Sequence, residues 1–317
     1  MGRRFQSFGI VAALLIIASV AFAQVRVDVR LVNVVATVTD AKGRYVSDLK
    51  VDDFTLEEDG APQPIHHFSQ DGNVPVSLGI LLDTSGSMER KIRTAVDAVE
   101  RFSRRIHEDD DIFLITFSGR PILRQDFTDD RDKISQALQH ITPTGGTALY
   151  DALSEGLSKI RSGRHYKRAI LVITDGQDTA SSVKLDDLVQ SIREAELLVY
   201  PVGISPRTYG SLPGPMTALL PGKSNGQIKR EDEVDINVLR AFAENSGGRA
   251  FLLAENWTDR GSQIEKVLDT IADELRSQYT LGFYPSRPDD GRYHTLRVRT
   301  STGNTVRARR GYVAIAP

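Results

Sequence analysis

The two ends of the chain show the alternation of apolar and polar residues that is typical of β-strands. VRVDVRL (25–31) places its valines on one face, and VNVVATV (32–38) shifts the alternation by one residue, which predicts strands interrupted by a bulge. YTLGFYPS, YHTLRVRTS and TVRARRGYVAIA predict three more strands near the C-terminus. Neither block has enough strands to be stable alone, so we expect 24–72 to pair with 279–317 in a small β-sandwich.

The middle of the chain, residues 73–278, has a different pattern, in which continuous apolar runs alternate with amphipathic helical segments. VPVSLGILL (74–82), DIFLITFS (111–118) and RAILVITDG (168–176) are typical of strands buried on both faces. PILRQDFT (121–128) follows the second run after two residues, so it must pair antiparallel at an edge. The helical patterns include 88–106, 129–141 and 147–160. About six strands and six helices predict an α/β, Rossmann-like domain with a mostly parallel sheet, inserted in or flanked by the β-sandwich.

The first 23 residues have the order of a secretory signal. Arg3 and Arg4 precede an apolar stretch at 10–20, and Ala21-Phe22-Ala23 forms the small-residue cleavage site. We expect cleavage after Ala23 and export to the periplasm or the medium, the alternative being an uncleaved membrane anchor. No later segment is apolar for long enough to span a bilayer.

Charge and cysteine content exclude several classes of function. The 317 residues carry 40 basic and 42 acidic side chains, a formal net charge of −2, so no basic field is available for a nucleic acid partner. The chain has no cysteine, which excludes disulfides, thiolate metal sites and a cysteine nucleophile.

Hydroxyl and carboxylate side chains follow two of the apolar runs. LLDTSGSM places Asp83, Ser85 and Ser87 at the end of the first run, Thr147 lies in a glycine-rich turn, and Asp175 ends another run. If the two runs are neighbouring parallel strands, their carboxyl ends bring these five oxygen ligands together. Such a set, with no imidazole or thiolate, suits a hard divalent ion, Mg²⁺ or Mn²⁺. A vacant coordination position would favour an acidic group from a protein partner.

Two further carboxylates lie close to these motifs in sequence. Asp151 follows Thr147 by one helical turn, and Asp178 follows Asp175 by three residues. Both are candidates for orienting water bound to the ion, and both are equally suited to capping helices or turns.

Three separate motifs carry a family resemblance. DTSGSM, GGTALYDA and ITDG, in this order, resemble the metal-ion-dependent adhesion site of von Willebrand factor type A domains, whose pattern is D-x-S-x-S, then T, then D. The resemblance implies metal-ligand roles for Asp83, Ser85, Ser87, Thr147 and Asp175. It also implies a six-stranded sheet with one antiparallel edge strand. The flanking strands are similar to those of exported bacterial proteins that carry this domain.

These observations lead to a main functional hypothesis and two alternatives. The main hypothesis is an exported, non-enzymatic adhesion or assembly module that captures an acidic group of a partner through its ion. The first alternative is an envelope scaffold whose ion only stabilises loops. The second, remote alternative is an aspartic-type protease, because DTSG (83–86) resembles that family's active-site turn, although a second such turn is missing. The segment 206–234 follows a strand, so we expect it on the metal face, where it would influence partner choice or be an ordinary insertion.

Overall fold

A computed structural model describes residues 31–70, 72, 74–205, 234–254, 260–285 and 290–314. The predicted signal segment, the run 25–30 and most of the segment 206–234 lie outside these residues. The described chain begins with four strands: β1 (Val32–Thr39), β2 (Phe54–Glu58), β3 (Ala61–Gln63) and β4 (His67–Ser69).

A six-stranded sheet forms the centre of the fold. Its strands are β5 (Val76–Asp83), β6 (Asp111–Phe117), β7 (Pro121–Thr128), β8 (Lys167–Thr174), β9 (Leu198–Ser205) and β10 (Phe251–Ala254), and their spatial order is β10-β9-β8-β5-β6-β7. All neighbours are parallel except β6 and β7. The prediction of a mostly parallel sheet with an antiparallel edge strand is therefore confirmed. Because β5 and β8 are direct neighbours, the loops that follow them meet at the same edge.

Six α-helices cover this sheet in the described residues. They are α1 (Ile92–Arg105), α2 (Arg131–Ala137), α3 (Leu149–Lys159), α4 (Leu185–Glu194), α5 (Ile236–Ser246) and α6 (Arg260–Arg276). The predicted start of α1 at residue 88 was wrong, because a 3₁₀ turn, Gly86–Arg90, precedes it. The predicted end of α2 at residue 141 was also wrong. The helix ends earlier because His140 adopts a left-handed φ of 58° and Pro143 follows, both of which oppose helical continuation.

Four strands follow α6, and they combine with the first four in two further sheets. They are β11 (Gln278–Phe283), β12 (Tyr293–Thr300), β13 (Thr305–Ala308) and β14 (Gly311–Val313). One sheet has the order β13-β1-β11-β4 and the other β14-β12-β2-β3. Each sheet thus contains strands from both ends of the described chain, and the positions of the domain boundaries stay predictions.

In the described residues, three hydrophobic cores hold these layers together. One lies between one face of the central sheet and α1 and α6, with Phe102 and Ile271 fully or almost fully buried. The second lies on the opposite face, where Leu153 and Phe242 pack against β5, β6 and β8. The third fills the space between the two smaller sheets. Both faces of β5 are buried, which explains the continuous apolar run that precedes Asp83. Among the described helices, none combines the length and hydropathy needed to cross a bilayer.

A buried histidine of the smaller sheets should make stability depend on pH. His294 Nδ1 lies 2.7 Å from Asp59 Oδ2, and its Nε2 lies 3.0 Å from Asp290 Oδ1. Ionised carboxylates only accept hydrogen bonds, so both ring nitrogens must be protonated to make both contacts. Burial opposes the charge, but the hydrogen bonds from His294 to Asp290 and Asp59 outweigh burial and raise the pKa of this histidine.

We therefore expect the His294 contacts to stabilise the fold at acidic pH. Their contribution is complete below the unfolded value of 6.5 and is lost as the pH rises through the raised folded pKa. Because the two carboxylates are partly exposed, we expect a contribution of about 1 kcal/mol. Urea melts of wild type and His294→Gln between pH 6 and pH 9 test this. The difference in free energy of unfolding between wild type and His294→Gln should shrink with rising pH. A constant difference would contradict a positively charged His294 in the folded state.

Candidate metal centre

Three loops meet at the carboxyl edge of the central sheet, above β5 and β8. The loop after β5 and the glycine-rich loop before α3 are joined by two backbone hydrogen bonds. Gly86 N donates to Gly145 O at 3.0 Å, and Thr144 N donates to Thr84 O at 2.9 Å. The third loop begins at Asp175, directly after β8. The backbone thus places all three sequence motifs at one edge.

Asp83 ends β5 and is completely buried. Its Oδ2 accepts a hydrogen bond from Thr174 Oγ1 at 2.6 Å, and its Oδ1 accepts one from Ser85 N at 2.8 Å. Burial raises the pKa of Asp83 to about 6, although the hydrogen bonds from Thr174 and Ser85 lower it. A buried carboxylate that is kept ionised in this way is costly unless a cation lies close to it.

Two serine hydroxyls lead from the first loop to the second carboxylate. Ser85 Oγ and Ser87 Oγ are 3.0 Å apart, and Ser87 Oγ donates to Asp175 Oδ1 at 2.7 Å. The two carboxylates are therefore linked through hydroxyls and do not form the hydrogen-bonded pair that shares a proton in aspartic proteases. The short spacings allow one small ion to contact several of these oxygens.

Thr147 lies beside this group. Its backbone is fixed by Thr179, because Thr147 N donates to Thr179 Oγ1 at 2.9 Å and Thr147 O accepts from Thr179 N at 2.8 Å. A Cβ atom at Gly176 would lie 3.5 Å from Thr147 Oγ1 and 3.9 Å from Ser87 Oγ. A side chain at Gly176 would therefore extend toward both hydroxyls, and glycine leaves that space open.

The candidate acids outside this group hold neighbouring loops. Asp178 Oδ1 accepts from Tyr150 N at 3.1 Å, in the first turn of α3. Asp151 Oδ1 accepts from Val183 N at 2.8 Å, and both Asp151 oxygens accept from Ser182 N. Their suggested role in orienting bound water stays a prediction.

Sequence reasoning missed a cation in this site. Lys91 Nζ lies 2.5 Å from Asp175 Oδ2, and the side chains of these two residues are 11% and 0% exposed. Lys91 follows Ser87 by four residues, directly after the 3₁₀ turn, and the helix predicted over 88–106 gave no sign that its side chain contacts Asp175. Thr174, which binds Asp83, was also missed, although it directly precedes Asp175.

The donor set fits a hard divalent cation. It offers two carboxylates and three hydroxyls, the oxygen ligands that Mg²⁺ and Mn²⁺ prefer, with no imidazole or thiolate. In the described part of the chain, no group of three or more His, Cys, Asp or Glu side chains is placed to hold a metal ion. The hydroxyls would therefore have to complete any coordination shell here.

Comparisons with known proteins agree with this architecture. Residues 78–177 match the von Willebrand factor type A domain family. A von Willebrand factor type A protein from Catenulispora acidiphila is 13% identical, with a TM-score of 0.51 and coverage of 82% of this chain and 73% of that one. No curated protein sequence matches this chain.

Two other solved structures are similar. Proximal thread matrix protein 1 from the mussel byssus, with a zinc-occupied MIDAS motif, has 13% identity and a TM-score of 0.51, covering 70% of this chain and 50% of that one. BatB from Bacteroides thetaiotaomicron has 18% identity and a TM-score of 0.47, covering 63% and 97%. The family match over residues 78–177, the sheet order and the three converging motifs together indicate a von Willebrand factor type A domain in this part of the chain.

Proposed function

We propose that the chain is an exported protein-binding module that holds a divalent cation at the carboxyl edge of its central sheet and captures a carboxylate of a protein partner. The observation that carries this proposal is the convergence of Asp83, Ser85, Ser87 and Asp175 through contacts of 2.7 to 3.0 Å. Thr147 completes the proposed ligand set. When bound, the ion would supply a positive charge and an open coordination position for the partner.

Each residue of the chain has a distinct part in this proposal. Asp83 and Asp175 provide the negative charge that attracts the ion, and burial of both keeps water from screening that attraction. The serine and threonine hydroxyls are neutral donors, so they complete the shell without adding charge. The two carboxylates can therefore do no more than neutralise the ion, and an open coordination position remains for a partner's carboxylate. Mg²⁺ and Mn²⁺ are the expected ions, and the zinc-occupied motif of the mussel protein makes Zn²⁺ a necessary comparison.

One observation favours the alternative of an envelope scaffold. Lys91 already compensates the charge of Asp175 at 2.5 Å, so the loops have a counter-ion of their own. In the scaffold alternative, a divalent ion would add stability to the loops without binding a partner. Export, which both alternatives share, rests on the predicted signal segment.

Divalent-dependent capture of acidic partners tests the proposed function. Immobilised wild type, Asp83→Ala and the control Asp186→Ala, which removes an exposed acid on α4, are incubated with envelope extract in Mg²⁺ or in EDTA. We expect specific proteins to be retained by wild type and the control in Mg²⁺, and their recovery to fall at least tenfold in EDTA or with Asp83→Ala. Amidation of carboxyl groups in the extract should abolish retention.

The possible outcomes separate the two functions. Retention that survives in EDTA would rule out an ion-mediated contact. Retention that depends on Mg²⁺ but survives amidation would contradict the carboxylate as the captured group. No retention, together with a protein that is stabilised by Mg²⁺, would favour the scaffold.

A further inference from the structure

Lys91 places a buried positive charge beside a proposed metal ligand. It lies between the 3₁₀ turn Gly86–Arg90 and the first residue of α1, and its side chain is 11% exposed. Its ammonium group contacts Asp175 Oδ2 at 2.5 Å, while Ser87 contacts Oδ1 of the same carboxylate at 2.7 Å. Both oxygens of this proposed metal ligand are therefore already engaged, one of them by a full positive charge.

A divalent ion at this site would compete with Lys91 for the Asp175 carboxylate. An ion that coordinates Asp175 must share that carboxylate with the ammonium or displace it. If the two share Asp175, two positive charges lie a few ångströms apart in a buried region, where solvent screens their repulsion only weakly. If the ammonium is displaced, it loses its buried ion pair with Asp175. Asp83 does not relieve this conflict, because its oxygens are held by Thr174 and the Ser85 amide.

The charges at the site also depend on Lys91. Asp83 and Asp175 contribute −2 and Lys91 contributes +1, so the site carries −1 without an ion. A divalent ion changes this to +1 if Lys91 stays in place, and the same ion would give zero if Lys91 were neutral. The lysine therefore weakens attraction for the cation and leaves the loaded site with a positive charge that favours an anion.

We propose that Lys91 is a tethered counter-ion that competes with the divalent cation for Asp175, lowers the affinity of the metal centre and makes the loaded centre select a carboxylate ligand. This inference rests on the proposed function, because it concerns the same metal centre. Its consequence is that ion and partner bind cooperatively. A carboxylate that neutralises the excess charge strengthens ion binding, and linkage requires the ion to strengthen carboxylate binding by the same factor.

Calorimetric titration with Mn²⁺ tests the first part of the inference. Lys91→Gln removes the charge but keeps an N–H donor for Asp175, Lys91→Arg keeps the charge, and Arg90→Gln removes an exposed positive charge from the adjacent position. We expect Lys91→Gln to bind Mn²⁺ about tenfold more tightly than wild type or better, because the repulsion is gone. Lys91→Arg and Arg90→Gln should stay within about twofold of wild type.

Acetate, the simplest carboxylate ligand, tests whether Lys91 makes the loaded centre select carboxylates. Bound Mn²⁺ broadens the methyl signal of acetate that reaches its coordination shell. In a titration at saturating Mn²⁺, we expect acetate to bind Lys91→Gln at least threefold more weakly than wild type, because the loaded site has lost its excess positive charge.

Melting temperatures in EDTA test whether Lys91→Gln is folded and whether Lys91 contacts Asp175 in the ion-free protein. Lys91→Gln should melt at a lower temperature than wild type in EDTA, since Asp175 loses its buried counter-ion, and it should gain more from Mn²⁺ than wild type does. Arg90→Gln should match wild type in both conditions.

The outcomes distinguish this inference from the proposed function. Equal Mn²⁺ affinity of wild type and Lys91→Gln would overturn the competition while leaving the metal centre intact. Equal acetate affinity at saturating Mn²⁺ would overturn the role in selecting carboxylates. If neither protein binds Mn²⁺, the proposed function fails and the role of Lys91 fails with it.

Discussion

Arg307→Met should lower the free energy of unfolding by about 3 kcal/mol, although Arg307 lies on β13 and is not part of the metal centre. Arg307 on β13 forms an ion pair with Glu274 of α6, whose side chain is only 1% exposed. Tyr200 donates to the same carboxylate at 2.7 Å, and Gln278 donates to Tyr200 at 2.9 Å. Without the guanidinium group, Glu274 stays buried with hydroxyl partners but without its ion-pair partner.

The reason for the large effect is the cost of a buried carboxylate that has lost its ion-pair partner. Burial disfavours the charge on Arg307, but Glu274 outweighs this and raises the pKa of the arginine. The matched control is Arg297→Met, because Arg297 is 65% exposed and its contact with Glu57 is 4.0 Å long. We expect that change to cost less than about 0.5 kcal/mol.

Chemical denaturation of both variants measures these effects. A double-mutant cycle with Glu274→Leu separates the ion pair from the loss of packing, and we expect a coupling energy of at least about 1 kcal/mol. Arg307→Met that is no less stable than Arg297→Met would show that the pair does not join α6 to the smaller sheet. Through Glu274, the C-terminal end of α6 is bonded both to Tyr200 on β9 and to Arg307 on β13.

Asp83→Asn should stabilise the ion-free protein at pH 7 by about 2–3 kcal/mol while destroying its response to divalent ions. Burial raises the pKa of Asp83 to about 6 from its ordinary value of 3.8, so the folded state holds a proton more strongly than the unfolded state does. Ionisation at neutral pH therefore costs stability. Asparagine has the same shape, accepts the Ser85 amide hydrogen bond and carries no charge to bury.

The pH dependence identifies the cause of this gain. The penalty is present above the folded pKa of about 6 and disappears as the pH falls toward 3.8, so the advantage of Asp83→Asn should shrink over the same interval. Urea melts in EDTA at pH 4.5 and pH 7 provide the measurement. A variant that is less stable than wild type at pH 7 would mean that the Asp83 carboxylate is favourable to the fold without an ion.

Sequence patterns were sufficient for the parts of the fold that depend on local periodicity. The buried runs that became β5, β6 and β8, and the two-residue turn that leads into β7, follow directly from apolar patterning and connection length. The convergence of Asp83 and Asp175 followed from the rule that loops meet at the carboxyl ends of neighbouring parallel strands.

Features that depend on side chains from distant segments could not be predicted. The sequence pattern predicts Lys91 within an amphipathic helix that begins at Met88, and only the 3₁₀ turn directs its side chain to Asp175. Glu274 and Arg307 belong to different elements, and nothing in either local pattern indicates that they meet. Asp59, one of the two carboxylates that contact His294, lies 235 residues away in the sequence.

Thermal melts of wild type and Asp83→Asn, each in EDTA and in Mg²⁺, Mn²⁺ or Zn²⁺ at pH 7, test whether Asp83 holds a metal ion. An ion at a hundredfold excess over its dissociation constant adds about 2.7 kcal/mol if it binds only the folded state. We expect at least one of these ions to stabilise wild type and the gain to disappear in Asp83→Asn. Equal gains in both proteins, or no gain at any ion concentration, would contradict a metal centre at Asp83.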